Sequence, residues 1–287
     1  MKDFDNRLQS LVDAALLEDV GGGDHSTLCC IPADAEGKAV LKIKQDGILA
    51  GVAVAEKIFK YKMPSAKFVY RKLDGEVMRK GEVAFEVETK IHTILQLERL
   101  VLNCMQRMSG IATLTASYNE KLKGFRTRLL DTRKTTPNFR LLEKEAVRIG
   151  GGVNHRFGLY DMIMLKDNHI DYCGGLEAAI SKAYDYVQRY DPELRIEVET
   201  RSLDDVRKAV EAGRGKVFRV MLDNFSPEQI KEALQIIDGQ FETEASGGID
   251  LDTIGLFAAT GVDFISVGAL IHQAKSLDLS LKAVISS

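Results

Sequence analysis

Short apolar runs alternate with amphipathic helical stretches through the second half of the chain. We predict strands at residues 128–130, 162–165, 195–198, 218–222, 241–243 and 263–267, because each run is short, apolar and followed by polar residues. Helices are predicted at residues 140–149, 175–190, 202–212, 226–237 and 250–259. Repeated strand–helix units of this length indicate a parallel sheet, either an incomplete barrel or a doubly wound sheet.

The first half of the chain has a different pattern, in which helices accompany alternating strands. Residues 5–18 form a helical stretch whose apolar face consists of Leu8, Leu11, Val12, Ala15 and Leu16, and residues 53–61 form another helical stretch. Alternation of apolar and polar residues at 39–44, 68–70 and 83–88 predicts half-exposed strands. This pattern predicts an α/β sandwich with a small antiparallel sheet.

A change of pattern near residue 110 suggests the domain boundary. Residues 93–108 and 111–122 read as two helices, because Ser109–Gly110 interrupts them. We therefore divide the chain into an N-terminal α/β sandwich domain (1–110), an α/β barrel catalytic domain (111–270) and a helical tail (271–287). The tail is expected to pack back on the first domain.

Composition and charge limit the possible partners. A net charge of −3 gives no reason to expect nucleic acid, and no apolar run is long enough to span a membrane. The acidic N-terminal stretch does not fit a signal peptide. The cysteines Cys29, Cys30, Cys104 and Cys173 lack the spacing of a zinc site or a disulfide framework. We therefore expect buried or unreactive thiols in a reducing cytoplasm.

Polar side chains follow nearly every predicted strand of the second half. In a parallel barrel, the chemistry collects at the C-terminal ends of the strands. In chain order these ends carry Asp131, Arg133 and Lys134; Lys166 and Asn168; Glu199; Asp223 and Asn224; Ser246, Gly247 and Gly248; and Gly268. A coherent set on six strands is harder to explain as ordinary loop polarity than any single residue is.

The strand-end residues, together with those near Asn154, divide by chemical type. The cations and the histidine suit a substrate with several negative groups: Arg133, Lys134, His155, Arg156 and Lys166. Glu199 and Asp223 offer hard oxygen ligands for Mg²⁺, directly or through water. The Ser246–Gly248 loop, followed by a helix, and Gly268 after the last strand offer backbone N–H groups to a phosphate. These features predict an enzyme that binds a phosphorylated substrate with Mg²⁺ beside a second anionic substrate.

Several residues admit other interpretations. Lys166 after a barrel strand also fits a Schiff-base lysine, although its polar neighbours argue against the apolar pocket that such a lysine needs. Arg107 reads as part of a solvated helix face, and His169 and His272 read as hydrogen-bonded structural histidines. A module that binds anions without catalysis is a further alternative, but it leaves Glu199 and Asp223 unexplained.

An ordered set of motifs resembles the quinolinate phosphoribosyltransferase family over essentially the whole chain. The most specific stretches are Asp131-Thr132-Arg133-Lys134-Thr135-Thr136-Pro137, Gly150-Gly151-Gly152-Val153-Asn154-His155-Arg156 and Leu165-Lys166-Asp167-Asn168-His169. The shorter matching stretches are Glu98-Arg99, Ser109-Gly110-Ile111-Ala112, Glu197-Val198-Glu199, Leu222-Asp223-Asn224, Glu244-Ala245-Ser246-Gly247-Gly248 and Ser266-Val267-Gly268-Ala269-Leu270.

The resemblance implies transfer of phosphoribose from 5-phosphoribosyl 1-pyrophosphate to quinolinate, with Mg²⁺ required and with nicotinate mononucleotide, pyrophosphate and CO₂ as products. It implies an N-terminal α/β sandwich and an incomplete barrel, assembled at least as a homodimer. The implied catalytic set is Lys134, Lys166, Glu199 and Asp223. The implied quinolinate contacts are Arg133, Lys134, His155, Arg156 and Lys166, with Arg99 reaching the neighbouring subunit's site. The implied phosphoribosyl pyrophosphate contacts are Glu199, Asp223, Ser246, Gly247, Gly248 and Gly268. Of these, Glu199 and Asp223 are also the implied metal contacts, directly or through water.

One position departs from the expected family pattern. Asn138 stands where a glycine is expected after the Thr135-Thr136-Pro137 motif. Asn tolerates a positive φ better than other non-glycine residues, so the loop is expected to keep its conformation. A molybdenum-transport-associated family of the same fold is the nearest rival, and Asn154-His155-Arg156 argues against it because that sequence suits a dicarboxylate.

Overall fold

The computed structural model describes residues 2–284. The first half of the chain contains α1 (Lys2–Asp19), α2 (His25–Cys30), β1 (Glu36–Ile43), β2 (Gly47–Ile48), α3 (Val52–Lys62), β3 (Lys67–Tyr70), β4 (Val77–Met78), β5 (Val83–Lys90) and α4 (Ile91–Lys121). The second half contains β6 (Arg128–Leu130), α5 (Arg140–Ile149), β7 (Ile163–Leu165), α6 (Asp167–Cys173), α7 (Leu176–Tyr190), β8 (Ile196–Thr200), α8 (Leu203–Gly213), β9 (Arg219–Asp223), α9 (Pro227–Ile237), β10 (Glu242–Ser246), α10 (Ile254–Ala258), β11 (Phe264–Ser266), α11 (Ala269–His272) and β12 (Leu279–Val284). None of the helices in the described residues combines the length and the apolar character needed to cross a bilayer.

The chain forms two compact units, each built from separated segments. Within the described residues, the first unit comprises 2–116, 135–151 and 270–284, and the second comprises 117–134 and 152–269. The sequence had suggested contiguous segments instead. The first unit contains the antiparallel sheet, and the second contains the parallel sheet.

The antiparallel sheet of the first unit has the strand order β12-β1-β5-β3. Alternate residues of β1 are buried, including Leu41 and Ile43, as expected for a strand with one covered face. On α3, Ile58 and Phe59 are fully buried, and the Phe59 ring meets the Phe85 ring of β5 edge-on at 6.5 Å. This core is the predicted α/β sandwich.

The predicted helix break at Ser109–Gly110 is wrong. A single helix, α4, runs for 31 residues through both positions. Gly110 lies against the backbone of Lys275, where a Cβ would overlap the carbonyl oxygen and would lie 2.9 Å from the carbonyl carbon. The glycine therefore permits close packing of a neighbouring segment and does not interrupt the helix.

The prediction of a helical tail at residues 271–287 is also wrong. Among the described residues of this segment only the end of α11 is helical, and β12 follows it as a strand that pairs antiparallel with β1. Leu279 and Leu281 are buried while Lys282 is exposed, and this alternation suits a sheet edge. The tail does join the N-terminal segment as predicted, but as a strand hydrogen-bonded to β1 and not as a packed helix. Residues 285–287 lie outside the described residues.

The second unit contains a six-stranded parallel sheet with the order β6-β11-β10-β9-β8-β7. All six predicted strands are present. Five of them follow chain order from β7 to β11, and the earliest strand, β6, pairs with the last one. This order is that of a barrel opened between β6 and β7, so the incomplete barrel is confirmed and the doubly wound sheet is excluded.

Alternate residues of these strands point to opposite faces of the sheet. The fully buried Val198, Leu222 and Ala245 form an apolar set on one face. The positions of opposite parity on the same strands include charged residues: Glu197 and Glu199 on β8, Arg219 on β9, and Glu242 and Glu244 on β10. The parallel registers pair Glu197 with Arg219 and Arg219 with Glu242, so these side chains share the other face. The inside of the barrel therefore contains charged groups.

Candidate active site

Residues from five strands meet at the carboxyl edge of the barrel. Asp223 and Ser246 are the last residues of β9 and β10, and they are register partners. Glu199 lies near the end of β8, Lys166 directly follows β7, and Gly268 follows β11. The strand ends thus bring together most of the residues that the sequence singled out.

Glu199 is the centre of an acidic group at this edge. Burial raises the pKa of Glu199, and the nearby carboxylates of Asp223 and Asp167 add to this effect against the charge of Lys166. The Lys166 Nζ lies 3.8 Å from Glu199 Oε2, and its side chain is half exposed. A Schiff-base lysine instead works as a neutral amine in an apolar pocket, so this environment does not favour that role.

Arg133 and Arg156 bring two positive charges close together. Burial lowers the pKa of Arg156, and repulsion from Arg133 lowers it further. The Arg156 Nη1 donates to the carbonyl of Met162 at 3.1 Å. Lys134 is exposed, and its backbone N–H donates to Thr132 Oγ1. Two partly desolvated guanidinium groups that repel each other have the charge and the donor geometry to bind more than one carboxylate.

The segment that carries Arg156 is fixed by Asp131. This residue follows β6 and is fully buried. Its carboxylate accepts hydrogen bonds from Asn154 Nδ2 at 2.7 Å and from the His155 backbone N–H at 2.8 Å. A buried carboxylate with charge-assisted bonds to two consecutive residues sets the position of this loop at the strand ends.

His155 points into the barrel. Its Nε2 lies 3.1 Å from Glu197 Oε2 and 3.4 Å from Glu244 Oε2, and its side chain is 5% exposed. Although burial opposes charge on the ring, the two carboxylates raise the pKa of His155 to about 9. The Arg156 backbone N–H donates to Nδ1 at 2.7 Å, which on its own would favour the neutral ring. In either charge state a proton resides on Nε2, because that nitrogen faces the carboxylates.

Arg219 completes this buried cluster. Its Nη1 lies 3.0 Å from Glu244 Oε2 and 3.9 Å from Glu197 Oε2, and its Nη2 lies 2.7 Å from Glu242 Oε2. Burial raises the pKa of Glu197 to about 6, whereas His155 and Arg219 keep the pKa of Glu244 low despite its burial. The ligand atoms of His155, Glu197 and Glu244 are close enough to hold a metal ion. The guanidinium beside them already supplies positive charge, so we interpret the group as an ion-pair cluster.

The Ser246–Gly248 loop has a conformation that requires glycine. Gly247 and Gly248 both have positive φ, and a Cβ on Gly247 would overlap the Asn224 amide and lie 2.9 Å from the Asn224 backbone N. The helix expected from about residue 250 begins only at Ile254 and has five residues. The prediction that a helix N-terminus directly follows this loop is therefore wrong. The candidate phosphate contacts are the backbone N–H groups of the loop itself.

Two predictions concern the backbone of Asn138 and the side chain of His169. Asn138 has φ 61°, as expected for a residue that replaces glycine. His169 accepts a hydrogen bond from the Lys166 backbone N–H at Nδ1, at 3.0 Å, which confirms a structural role. Arg99 is exposed on α4.

The solvated role predicted for Arg107 is wrong. Its side chain bonds the fully buried Glu143 carboxylate at 2.9–3.0 Å and the carbonyls of Ile271 and Ala274 at 2.7 Å. Glu143 also accepts bonds from the Thr136 backbone N–H and hydroxyl. Helical spacing could not reveal a partner from a distant segment.

The sequence did contain a signal for the cluster around His155. Strands of a parallel sheet covered on both faces are usually nearly continuous in apolar residues. Glu197, Arg219 and Glu244 interrupt this pattern at inward positions of three neighbouring strands. Buried charges on adjacent strands predict mutual pairing, because isolated buried charges are too costly.

Comparison with known proteins agrees with these features. Residues 24–109 match the family description "Quinolinate phosphoribosyl transferase, N-terminal domain", and residues 111–282 match the corresponding C-terminal domain. A nicotinate-nucleotide pyrophosphorylase [carboxylating] of Arabidopsis thaliana is 43% identical over 288 aligned residues, which cover 96% of this chain and 82% of that protein. A probable nicotinate-nucleotide pyrophosphorylase [carboxylating] of Bacillus subtilis is 41% identical, covering 98% of this chain and 95% of that protein.

Solved structures extend the similarity to the fold. NadC from Streptococcus pyogenes superposes with a TM-score of 0.88 at 41% identity, covering 97% of each chain. The nicotinate-nucleotide pyrophosphorylase from Francisella tularensis superposes with a TM-score of 0.88 at 38% identity, covering 98% of this chain and 97% of that one. With both domain matches, this level of identity and the shared fold, the chain belongs to the quinolinate phosphoribosyltransferase family of pentosyltransferases.

Proposed function

We propose that this chain transfers the phosphoribosyl group of 5-phosphoribosyl 1-pyrophosphate to quinolinate in an Mg²⁺-dependent reaction, with loss of CO₂. The bond between C1 of the ribose and the pyrophosphate oxygen breaks, and pyrophosphate leaves with the electron pair. The ring nitrogen of quinolinate supplies the pair for the new bond to C1. One carboxylate then leaves as CO₂ and a proton takes its place, which gives nicotinate mononucleotide.

The observation that carries this proposal is the mutual repulsion of Arg133 and Arg156, at the same carboxyl edge of the barrel as Lys166. The repulsion that lowers the pKa of Arg156 is relieved when a dianion binds between the two guanidinium groups. Quinolinate carries two carboxylates, and fixing both aims the ring nitrogen at C1. Lys134 lies on the same loop as Arg133 and adds positive charge. His155 contacts Arg156, because its Nδ1 accepts the Arg156 backbone N–H at 2.7 Å.

Glu199 and Asp223 fit an Mg²⁺ ion. Their oxygens are the ligands that Mg²⁺ prefers, and their mutual repulsion contributes to the raised pKa of Glu199. A cation near them removes that repulsion, either directly or through water. When bound there, Mg²⁺ stabilises the charge of the departing pyrophosphate. The two carboxylates also favour the positive charge that develops on the ribose.

The 5-phosphate is assigned to the loops after the last two strands. Ser246, Gly247, Gly248 and Gly268 lie there, where parallel barrels commonly bind phosphate. The left-handed conformations of Gly247 and Gly248 turn consecutive backbone amides into a concave loop. Asp223 ends β9, the neighbour of β10, so the acidic group lies next to the Ser246 loop along the carboxyl edge of the sheet.

The test is an end-point assay with quinolinate, phosphoribosyl pyrophosphate and Mg²⁺ that measures nicotinate mononucleotide and CO₂. Arg133→Ala is expected to lower kcat/KM by at least about thirtyfold, since loss of one partner of a desolvated charge pair costs about 2–5 kcal/mol. Arg126→Ala, at a side chain 70% exposed, is the matched control and should behave as wild type. Chelation of Mg²⁺ should abolish turnover.

Other substrates separate this proposal from its rivals. Turnover of nicotinate in place of quinolinate would preserve the transferase chemistry and contradict the dicarboxylate assignment. Absence of turnover with either acid, in folded protein, would favour the molybdenum-associated relative. Borohydride trapping of a carbonyl substrate on Lys166 would favour the lyase.

We also propose that the enzyme works as a homodimer at least, with Arg99 completing the neighbouring subunit's site. Arg99 is exposed on α4 and is therefore available to another subunit. Arg99→Ala and Arg133→Ala proteins should each be inactive, while a randomly mixed dimer should recover about a quarter of the activity, because one intact site forms in each heterodimer. No recovery after proven subunit exchange would contradict the shared site.

A further inference from the structure

The buried charges inside the barrel lie next to the arginine pair but have no direct role in the proposed reaction. We propose that Glu197, Glu244 and Arg219 are positioning residues: they anchor His155 through its Nε2, and the His155 ring in turn fixes Arg156 for a substrate carboxylate. The proposal rests on the proposed function, because Arg156 is one of the cations assigned there to quinolinate.

The His155 ring is held at both nitrogens. Nε2 faces Glu197 and Glu244 at 3.1 and 3.4 Å, and Nδ1 accepts the Arg156 backbone N–H at 2.7 Å. A ring bound on both sides cannot rotate or tilt without losing one of these contacts. His155 therefore works as a rigid spacer between the inner face of the strands and the backbone of Arg156.

Two further contacts limit the movement of this segment. The backbone N–H of His155 donates to Asp131 at 2.8 Å, and the Arg156 guanidinium donates to the Met162 carbonyl at 3.1 Å. These contacts fix the path of the chain and one end of the guanidinium. The ring contact adds the connection to β8 and β10, which are rigid elements of the barrel. A binding group supported by a rigid element is held more accurately than one on a loop alone.

Arg219 keeps the two anchoring carboxylates together. It extends from β9, the strand between β8 and β10, and lies 3.0 Å from Glu244 Oε2 and 3.9 Å from Glu197 Oε2. Its guanidinium carbon lies 4.3 Å from the centre of the Phe264 ring, which restricts its rotation. Two buried carboxylates repel each other, and the Arg219 charge, together with the N–H at His155 Nε2, makes their close approach possible.

The barrel provides a matched control for the two anchoring residues. Glu242 precedes Glu244 by two residues on the same strand and bonds the same arginine at 2.7 Å. Unlike Glu197 and Glu244, it is 38% exposed, and His155 forms its ion pairs with those two other glutamates. A purely structural role for Glu197 and Glu244 would lower stability and change the KM values of both substrates alike, whereas positioning of His155 affects the KM for quinolinate and concerns only these two glutamates.

The test compares the isosteric variants Glu197→Gln, Glu244→Gln and Glu242→Gln. We expect Glu197→Gln and Glu244→Gln to raise KM for quinolinate by about tenfold or more, since a binding group needs placement within about 0.5 Å. KM for phosphoribosyl pyrophosphate should stay within about twofold, and Glu242→Gln should resemble wild type. Equal losses in all three variants, equal changes for both substrates, or unchanged kinetics in the first two would each overturn the proposal.

A second measurement keeps the proposal testable without turnover. In the ¹⁵N spectrum of histidine-labelled wild type, the Nε2 of His155 should carry a proton, and its signal should shift in Glu197→Gln or Glu244→Gln but not in Glu242→Gln. A ring protonated on Nδ1 alone would overturn the anchoring even if no variant folds. If the wild type fails to convert quinolinate while the Nε2 signal behaves as expected, the proposed function fails and the anchoring of His155 stands.

Discussion

Replacing Arg107 by methionine is the most informative perturbation of the first unit. Methionine keeps most of the apolar stem but removes the guanidinium that bonds Glu143 and two backbone carbonyls. Glu143 is fully buried, so its carboxylate cannot turn to bulk water after the substitution. Thr136 still donates two hydrogen bonds to it, at 2.8 and 3.0 Å. The Glu143 carboxylate therefore loses the positive charge of Arg107 but keeps the two hydrogen bonds from Thr136.

The expected loss of unfolding free energy is about 3 kcal/mol. Removing one partner of a buried ion pair costs about 3–5 kcal/mol, mainly because the remaining charge is buried without compensation. The Arg107 side chain is 22% exposed, and the Thr136 bonds persist, so the lower end of that range applies. Glu143→Gln should cost less, because no charge remains buried. The double variant should be more stable than the sum of the single losses predicts.

Urea unfolding followed by far-ultraviolet circular dichroism measures this loss. The matched control is Arg148→Met, since Arg148 on α5 pairs with Glu145 three residues earlier but is 63% exposed. That surface pair is expected to contribute no more than about 1 kcal/mol. If Arg107→Met costs no more than Arg148→Met, the buried pair does not stabilise this region, and the reasoning from burial is refuted.

Three further predictions concern other parts of the chain. Gly110→Ala gains about 1 kcal/mol of helix propensity, but the overlap with the Lys275 backbone costs more, so thermal unfolding should show a net loss of about 1–2 kcal/mol. Cys29 and Cys30 are exposed, with their sulfurs 3.3 Å apart, whereas burial raises the pKa of Cys104 to about 12. In native protein, a coloured disulfide reagent should therefore modify the first two, while Cys104 reacts only after unfolding. The two carboxylates raise the pKa of His155 from 6.5 to about 9, whereas the hydrogen bond from the Arg156 backbone N–H to Nδ1 requires the neutral ring. A charged ring would add stability that is full below pH 6.5 and is lost as the pH rises through 9, so the stability difference between wild type and His155→Gln would shrink by up to about 3 kcal/mol between pH 7 and 10. The contact at Nδ1 predicts a constant difference over that range, and a shrinking difference would contradict it.

The barrel was predictable because its signals are local. Each strand is a short apolar run, and serines at positions 202 and 226 cap the following helices through their side chains. The chemistry at the strand ends was visible for the same reason, since Lys166, Glu199 and Asp223 directly follow or end such runs. Local patterns suffice where the covering helices come from adjacent segments of the chain.

The errors occurred where the deciding contact comes from a distant segment. Gly110 looks like a helix breaker, but its role depends on Lys275. Arg107 looks solvated, but its partners are Glu143, Ile271 and Ala274. No periodicity within a helix contains that information, because the packing partner and not the propensity decides the outcome.

The pairing of β12 with β1 has a consequence for synthesis of the chain. Lys38 pairs with Val284, so these partners are 246 positions apart (284 − 38). While the ribosome is still making the barrel, one edge of β1 lacks its neighbour and presents unpaired backbone groups. Long-range pairing of this kind forms slowly. The nascent N-terminal sheet therefore exposes an edge open to pairing until β12 has been made, and we expect a deletion that removes β12 to cause aggregation through this edge.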